Sequence, residues 1–405
     1  MYKCYICEKN DLTEILDLGN HPPPLILLSK NELDDKSEPL FPLKLFFCEN
    51  CGLVQLKDAV DPELLFRDYS YTSSASVSFK NHLHNFAKYL VNKFNLTKND
   101  LVIDIASNDG TLLEGFLPFE IKVLGIEPST VAQLAEQKGV STVNDFFDES
   151  IAKTILEKWG KAKIITATNV FAHIHKLDSL MKGIKLLLED DGSFVSENHY
   201  LKDLVEKLEY DTIYHEHLRY YGLTQLVTLF EKYGMDVYDV ERISTHGGSI
   251  RVFSCKKNTH KITSNVLSLL EEEEKMGLTS KETLFSFADR VSQNKTELLS
   301  LLNQLHSEGK KVVGISAPAR SCTVLNYCKI DSSLLNYITE SSSLKIGKYT
   351  PGTHIPIKSD SFLNDEQPDF ALLLSWHLQD SIIPKLRQNG FRGKFIIPLP
   401  TPKII

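Results

Sequence analysis

The sequence predicts an α/β protein in three parts: a small cysteine-bearing module, a central doubly wound parallel sheet, and a second α/β unit at the C-terminal end. Three observations carry this. Buried-type apolar runs alternate with amphipathic stretches from Leu101 onward, the pattern of strands joined by crossover helices. A second such alternation begins at Lys311, and four of the seven cysteines fall as two Cys-x2-Cys pairs near the start. At 405 residues the chain has room for two or three domains. Its 45 basic against 53 acidic residues leave a net charge of −8, which argues against a nucleic-acid partner. A content of 42% hydrophobic and 24% charged residues excludes a disordered or collagen-like chain. No apolar run approaches the roughly 18 residues that span a bilayer. The opening Met1-Tyr2-Lys3-Cys4 lacks a signal-peptide layout. A soluble, cytoplasmic protein with no membrane association is expected, and nothing points to a protein partner.

Residues 1–66 form the first module. Cys4, Cys7, Cys48 and Cys51 make two knuckles of the kind that present four thiolates to a tetrahedral zinc ion. Two unconnected reduced pairs, or a redox motif, are the alternatives. The zinc reading fills all four ligand positions, so the metal is expected to be structural. The 40 residues between Cys7 and Cys48 must hold an ordered insertion, with Pro22-Pro23-Pro24 and a strand at Pro42–Phe47.

Residues 67–258 form the second part. A helix of about 18 residues starts at Ser78, with Phe79, Leu83, Phe86, Leu90 and Phe94 on one face. Strands follow at Leu101–Ile105, Ile121–Ile126 and Ile164–Ala167, with helical stretches near Thr111, Ser129 and Lys176. Residues 259–308 read as a helical connector whose Glu271–Glu274 run is a solvated face. Residues 309–405 carry strands at Lys311–Ile315, Asn336–Ile338, Phe370–Leu374 and Lys394–Ile397. Both sheets are expected to be Rossmann-like.

The strand Leu101–Ile105 contains Asp104 and runs into Ala106-Ser107-Asn108-Asp109-Gly110, small residues that let a ligand approach the end of a parallel sheet. The next strand delivers Glu127, followed by Pro128, and an acid there can accept hydrogen bonds from ribose hydroxyls. The Gly-x-Gly-x-x-Gly fingerprint and the P-loop ending are both absent, which disfavours NAD, FAD and ATP. S-adenosylmethionine fits better, with Asp104 and Asp109 toward its amino acid and charged sulfur. Asp145 and Phe146 are placed for an adenine contact and a ring wall.

Asn169-Val170-Phe171-Ala172-His173 follows the Ile164–Ala167 strand and puts His173 at the same sheet edge. Tyr214-His215-Glu216-His217 lies about forty residues on. This is not a zincin motif, because position 219 is Arg, and His215 and His217 would diverge on a helix. Proton transfer suits the group better, with a carboxylate tuning a histidine. His246-Gly247-Gly248 is either a tight strand connection or a place where substrate meets backbone. In the C-terminal unit, Ser316-Ala317-Pro318-Ala319-Arg320-Ser321-Cys322-Thr323 opens a helix beside an arginine, a plausible anion site. Lys345, Lys348, Tyr349 and His354 add positive charge suited to a phosphorylated ligand.

The whole chain resembles the nucleotide-sugar C-methyltransferases, which methylate carbon beside the ketone of nucleotide-linked 4-keto deoxysugars. The two cysteine pairs match the family's N-terminal zinc-binding domain, and Ser107–Leu113 its cofactor loop. Asn169–His173 match Asn-x-x-Ala-His, and Tyr214–His217 match Tyr-x-Glu-His. His246-Gly247-Gly248-Ser249, Tyr349-Thr350-Pro351-Gly352-Thr353 and Ile397-Pro398-Leu399-Pro400 continue the match. The resemblance implies a C-methyltransferase with S-adenosylmethionine on the central sheet and the sugar nucleotide held largely by the C-terminal unit, around His246, Gly247, Ser316, Arg320, Thr323, Lys345, Lys348, Tyr349, His354, Trp376 and His377. It places Tyr71, His173, Tyr214, Glu216 and His217 in the active site, with Tyr69 an alternative to Tyr71. His217 oriented by Glu216 is the expected base, with Tyr214 the other choice. Family members often have Gly-Ala-Pro-Ala-Lys-Gly where this chain has Ser316–Ser321, and Trp-Asn where it has Trp376-His377. The nucleotide, dTDP or GDP, and the methylated carbon, C-3 or C-5, stay open. A 3,5-epimerase or a binding protein without the reaction are the alternatives.

Overall fold

The computed structural model describes residues 2–34, 38–66 and 72–405; Tyr71 and Tyr69 lie outside them. At the N-terminal end, β1 (Leu12–His21), β2 (Phe41–Cys48) and β3 (Val54–Leu56) pair antiparallel. The sequence pattern hid β1, because register shifts after Glu14 and Asp17 break its in–out alternation. Along β2 the alternation sends Leu43, Leu45 and Phe47 into one core and Cys48 into another.

The central sheet is built from β4 (Leu101–Ile105), β5 (Lys122–Ile126), β6 (Thr142–Val143), β7 (Ala162–Thr168) and β8 (Leu188–His199), all parallel. The short β9 (Arg219–Tyr220) leaves this domain and pairs with β3. β10 (Met235–Ile243) and β11 (Ser249–Lys256) complete the sheet in the order β10-β11-β8-β7-β4-β5-β6, with β11 antiparallel to both neighbours. Missing from the expected strands was β8, whose Glu189-Asp190-Asp191-Gly192 start and later Ser196-Glu197-Asn198 leave no continuous apolar run.

The C-terminal sheet has β12 (Val312–Ile315), β13 (Ile338–Glu340), β14 (Ile357–Ser359), β15 (Phe370–Leu373), β16 (Lys394–Ile397) and β17 (Lys403–Ile404). Their order is β14-β13-β12-β15-β16-β17, parallel except for β17. Between the two large sheets run helices Ser264–Met276 and Lys281–Ser307. The acidic run on the first of these is not wholly solvated. Glu273 is buried and accepts from the Leu223 and Thr224 amides and the Thr224 hydroxyl, capping helix Leu223–Lys232. The three sequence parts do not have three separate cores. One core joins the N-terminal sheet, the segment around Leu201–Ile213, helix Lys281–Ser307 and the C-terminal sheet. Cys4, Ile6, Cys48 and Leu53 pack instead with the central sheet. Among the described residues no helix is long and apolar enough to cross a membrane.

Candidate functional site

The four cysteines converge. Their sulfurs lie within 4.8 Å of one another, with Cys4–Cys51 at 3.4 Å and Cys7–Cys48 at 3.5 Å. A tetrahedron of zinc–sulfur bonds of about 2.3 Å places its sulfurs about 3.8 Å apart, so the spacing fits. Burial pushes the Cys48 thiol up to about 11, a cost that a divalent cation among the sulfurs would reverse. Among the described residues this is the one group arranged to hold a metal ion. His215 and His217 do not form a second. They lie on a turn rather than a helix, and His215 donates from Nε2 to the Phe41 carbonyl at 3.2 Å, away from His217.

At the carboxyl edge of the central sheet, three non-glycine residues hold left-handed φ: Ala106 at 54°, Asn108 at 51° and Asn169 at 55°. Such backbone clusters at sites where a ligand must meet the chain. Glu127 directly follows β5 and is oriented by two amides, Asn108 N–H at 2.9 Å on one oxygen and Ser129 N–H at 3.0 Å on the other. Each oxygen keeps a lone pair, enough to accept two further hydroxyls. The Ser107 hydroxyl and both polar atoms of the Asn169 side chain are buried with no hydrogen-bond partner. Buried polar groups left open at one sheet edge fit a polar ligand such as the ribose and amino acid ends of S-adenosylmethionine. Pro128 is buried behind Glu127, while Phe146 is half-buried and Asp145 exposed at the rim. Gly110 turns the loop with φ 71°, where a Cβ would lie 2.7 Å from that of Ala135.

Two of the expected cofactor acids already have partners within the chain. Asp109 is fully buried and accepts from Thr111 Oγ1 at 2.6 Å and the Ser74 amide at 3.2 Å, with Lys138 Nζ 3.2 Å away. It ties the loop to the preceding segment. Asp104 is buried and accepts from Thr166 Oγ1 at 2.6 Å. Burial, reinforced by Glu127 and Glu197, raises its carboxyl to about 7.

Beyond Asn169 the floor of a small cavity carries histidines. The His217 ring lies 4.9 Å from His173, 5.1 Å from His199 and 4.1 Å from the Tyr214 ring, and His199 lies 5.3 Å from His246. His173, His199, His217, Asn169 and Asn198 line that cavity. His217 Nδ1 donates to the Thr212 carbonyl at 2.6 Å, because a carbonyl only accepts. Its Nε2 therefore carries the lone pair. Burial lowers the His217 imidazole to about 4 against the raising effect of that bond, and His246 and Arg320 lower it further. Burial also holds His173 and His199 well below the ordinary value and His246 at about 4, so the cluster is neutral at pH 7. The Thr212 carbonyl thus holds the Nδ1 side of the His217 ring, and Glu216, next to it in sequence, is buried. The sequence pattern gave no sign of His199. It ends β8 at the same carboxyl edge, and only recognition of that strand would have located it.

The Gly pair connects β10 to β11 as a hairpin. Gly247 has φ 99° and Gly248 φ 155°, and Cβ atoms there would meet Glu209 at 2.5 Å and Asp203 at 2.4 Å. This hairpin brings His246 against the C-terminal unit. Arg320 is buried, with Nη2 donating to Asp211 Oδ1 at 2.9 Å and Nη1 to His377 Nδ1 at 2.6 Å. Trp376 donates from Nε1 to Asp211 Oδ2 at 2.8 Å, and Thr323 Oγ1 to the Ile213 carbonyl at 2.7 Å. Ser316 turns the loop after β12 with φ 68°. Lys345 donates to the Ala317 carbonyl at 2.8 Å and lies 3.4 Å from Glu340. His354 pairs with Glu38 at 3.0 Å, Tyr349 bridges Leu28 and Pro356, and Lys348 is exposed. The basic residues grouped by the sequence are therefore not a bare positive patch. Arg320, Lys345 and His354 each have an acidic neighbour: distant segments carrying Asp211 and Glu38 fold against Arg320 and His354, while Glu340, at the end of β13, lies five residues before Lys345.

Comparison with known proteins covers the whole chain. Residues 4–66 match a zinc binding domain, residues 79–240 a methyltransferase domain, and residues 244–400 a C-methyltransferase C-terminal domain. C-methyltransferase NovU of Streptomyces niveus is 33% identical over 408 aligned positions, spanning 100% of this chain and 96% of NovU. Among solved structures, an S-adenosylmethionine-dependent methyltransferase of Clostridium acetobutylicum overlaps 46% of this chain and 94% of its own, at 16% identity and TM-score 0.35. Magnesium protoporphyrin IX methyltransferase of Synechocystis, with bound S-adenosylmethionine, overlaps 45% and 81% at 14% identity and TM-score 0.34. The methyl donor of this chain is S-adenosylmethionine, and its cysteine cluster is a zinc site. With its three domains and its full-length relative, the chain belongs to the C-methyltransferases.

Proposed function

We propose that the chain methylates the carbon beside the ketone, C-3 ahead of C-5, of a nucleotide-linked 4-keto-deoxysugar on dTDP or GDP, toward a branched-chain sugar. The observation that carries this is His217: a buried, neutral imidazole with its Nε2 lone pair free of the Thr212 bond, between the cofactor edge and the C-terminal unit. When bound, S-adenosylmethionine supplies an electrophilic methyl group on a positively charged sulfur. A proton beside a ketone leaves readily only if a base takes it while donors hold the developing enolate oxygen. His217 Nε2 takes that proton, and the electron pair passes to the ketone oxygen. His173 and His199, with rings 4.9 and 5.1 Å from that of His217, offer N–H donors for that oxygen, and Tyr214 is the alternative base. Glu127 holds the ribose of the methyl donor, and Trp376, His377 and Arg320 border the sugar nucleotide.

Incubation with 4-keto sugars on dTDP, GDP, CDP and UDP, read by mass, tests the reading. A gain of one methylene on at least one of them is expected; proton exchange without mass gain would instead favour the epimerase reading. Glu127→Gln is expected to weaken S-adenosylmethionine binding by about tenfold in calorimetry, since a charge-assisted hydrogen bond is lost. The pH dependence has a definite sign. A histidine with its pKa lowered to about 4 stays unprotonated, and so competent as a base, as pH falls through the ordinary value near 6.5. Exchange of the sugar's α-proton should therefore persist at pH 5.5, and an acid limb at or above 6.5 would rule out buried His217 as the base.

A further inference from the structure

The proposed base is aimed by a carbonyl, and the C-terminal unit grips that carbonyl's segment on both sides. Three consecutive residues, each at most 2% exposed, make the connection. Asp211 pairs with Arg320, whose Nη2 donates to Oδ1 at 2.9 Å and whose Nε lies 2.7 Å from Oδ2, and it also accepts from Trp376 Nε1 at 2.8 Å. The Thr212 carbonyl accepts from His217 Nδ1 at 2.6 Å. The Ile213 carbonyl accepts from Thr323 Oγ1 at 2.7 Å. Arg320 and Thr323 sit on helix Ala319–Cys328, directly after β12, and Trp376 follows β15. A peptide carbonyl clamped through both neighbours cannot rotate without breaking a buried ion pair or a buried hydrogen bond, and either break leaves a polar group unsatisfied.

We infer that the C-terminal unit sets the tautomer and direction of the base: its docking on Asp211–Ile213 fixes the Thr212 carbonyl, and that carbonyl fixes His217. Asp211 and Thr323 are positioning residues in this arrangement, acting through Thr212. The inference rests on the reading of His217 as the base, but it has a substrate-free readout. Nitrogen NMR of the full chain labelled with 15N-histidine should show His217 protonated at Nδ1. Asp211→Asn keeps the side-chain shape and an acceptor for Trp376 but removes the charge; Thr323→Val removes the hydroxyl, and Thr323→Ser restores it. In Asp211→Asn and Thr323→Val the His217 signals are expected to move to a mixture of tautomers. Exchange of the sugar's α-proton should fall about tenfold to a hundredfold, the cost of misaiming a reacting group. KM for S-adenosylmethionine, whose proposed pocket lies at the Glu127 edge of the central sheet, should stay within about threefold, the mark of a loss confined to the base. Thr323→Ser should return both readouts to the parent values. Folded variants with the parent tautomer and exchange rate would overturn the inference. If one variant does not fold, the other carries the test. A parent that exchanges no keto sugar, with shifted tautomers in the variants, would support the coupling and sink the functional reading. Normal exchange with unmoved tautomers would do the reverse.

Discussion

His217→Asn should lower both methyl transfer and solvent exchange of the sugar's α-proton by about a thousandfold, within the range that a positioned base contributes. Asparagine can keep a donor toward the Thr212 carbonyl but has no lone-pair nitrogen of histidine basicity where Nε2 stood. Affinity for S-adenosylmethionine should be unchanged, since Glu127, Ser107 and Asn169 sit on other strand ends. Calorimetry and deuterium uptake, measured on one preparation, separate the two effects. Full exchange in the variant would move the base to Tyr214, and Tyr214→Phe would then carry the loss.

Removing zinc, by chelator or by Cys48→Ser, is expected to unfold the N-terminal module and lower the melting temperature, with activity lost in step. Apparent binding energies of structural zinc are about 10–16 kcal/mol, as large as the whole stability of an ordinary domain. The loss should spread for a specific reason. β3 pairs with β9, and the Leu56 amide bonds the Leu218 carbonyl, one residue from His217. Melting followed by circular dichroism alongside activity tests this. A zinc-free chain that kept its fold but lost catalysis would give the metal a chemical role instead.

Much of this was legible in the residues. The pairs Cys4/Cys7 and Cys48/Cys51 announce their geometry because a two-residue spacer forces a tight turn. β4, β5 and β7 announce theirs because strands buried on both faces are mostly apolar, with a few polar residues such as Asp104 and Thr166 among them. Other parts were hidden for physical reasons. β1 is bulged, and β8 is buried with hydrogen-bonded polar groups such as Glu197, held by Arg251 at 2.6 Å and His82 at 2.9 Å. Glu273 looked solvated because its partners, the amides opening helix Leu223–Lys232, lie fifty residues away.

The sequence by itself determined the chemistry present: a four-thiolate metal site, an acid at the end of the second central strand, and a histidine and tyrosine cluster, each set within a short span whose local conformation follows from its residues. Only the tertiary structure decided what those groups face. It gave the His217 Nδ1 the Thr212 carbonyl as a partner, added His199 from an unrecognised strand, and matched Arg320 with Asp211 and His354 with Glu38. Charge pairing and histidine tautomers depend on distances of about 3 Å between segments that can lie far apart in the chain, and no local pattern encodes such distances.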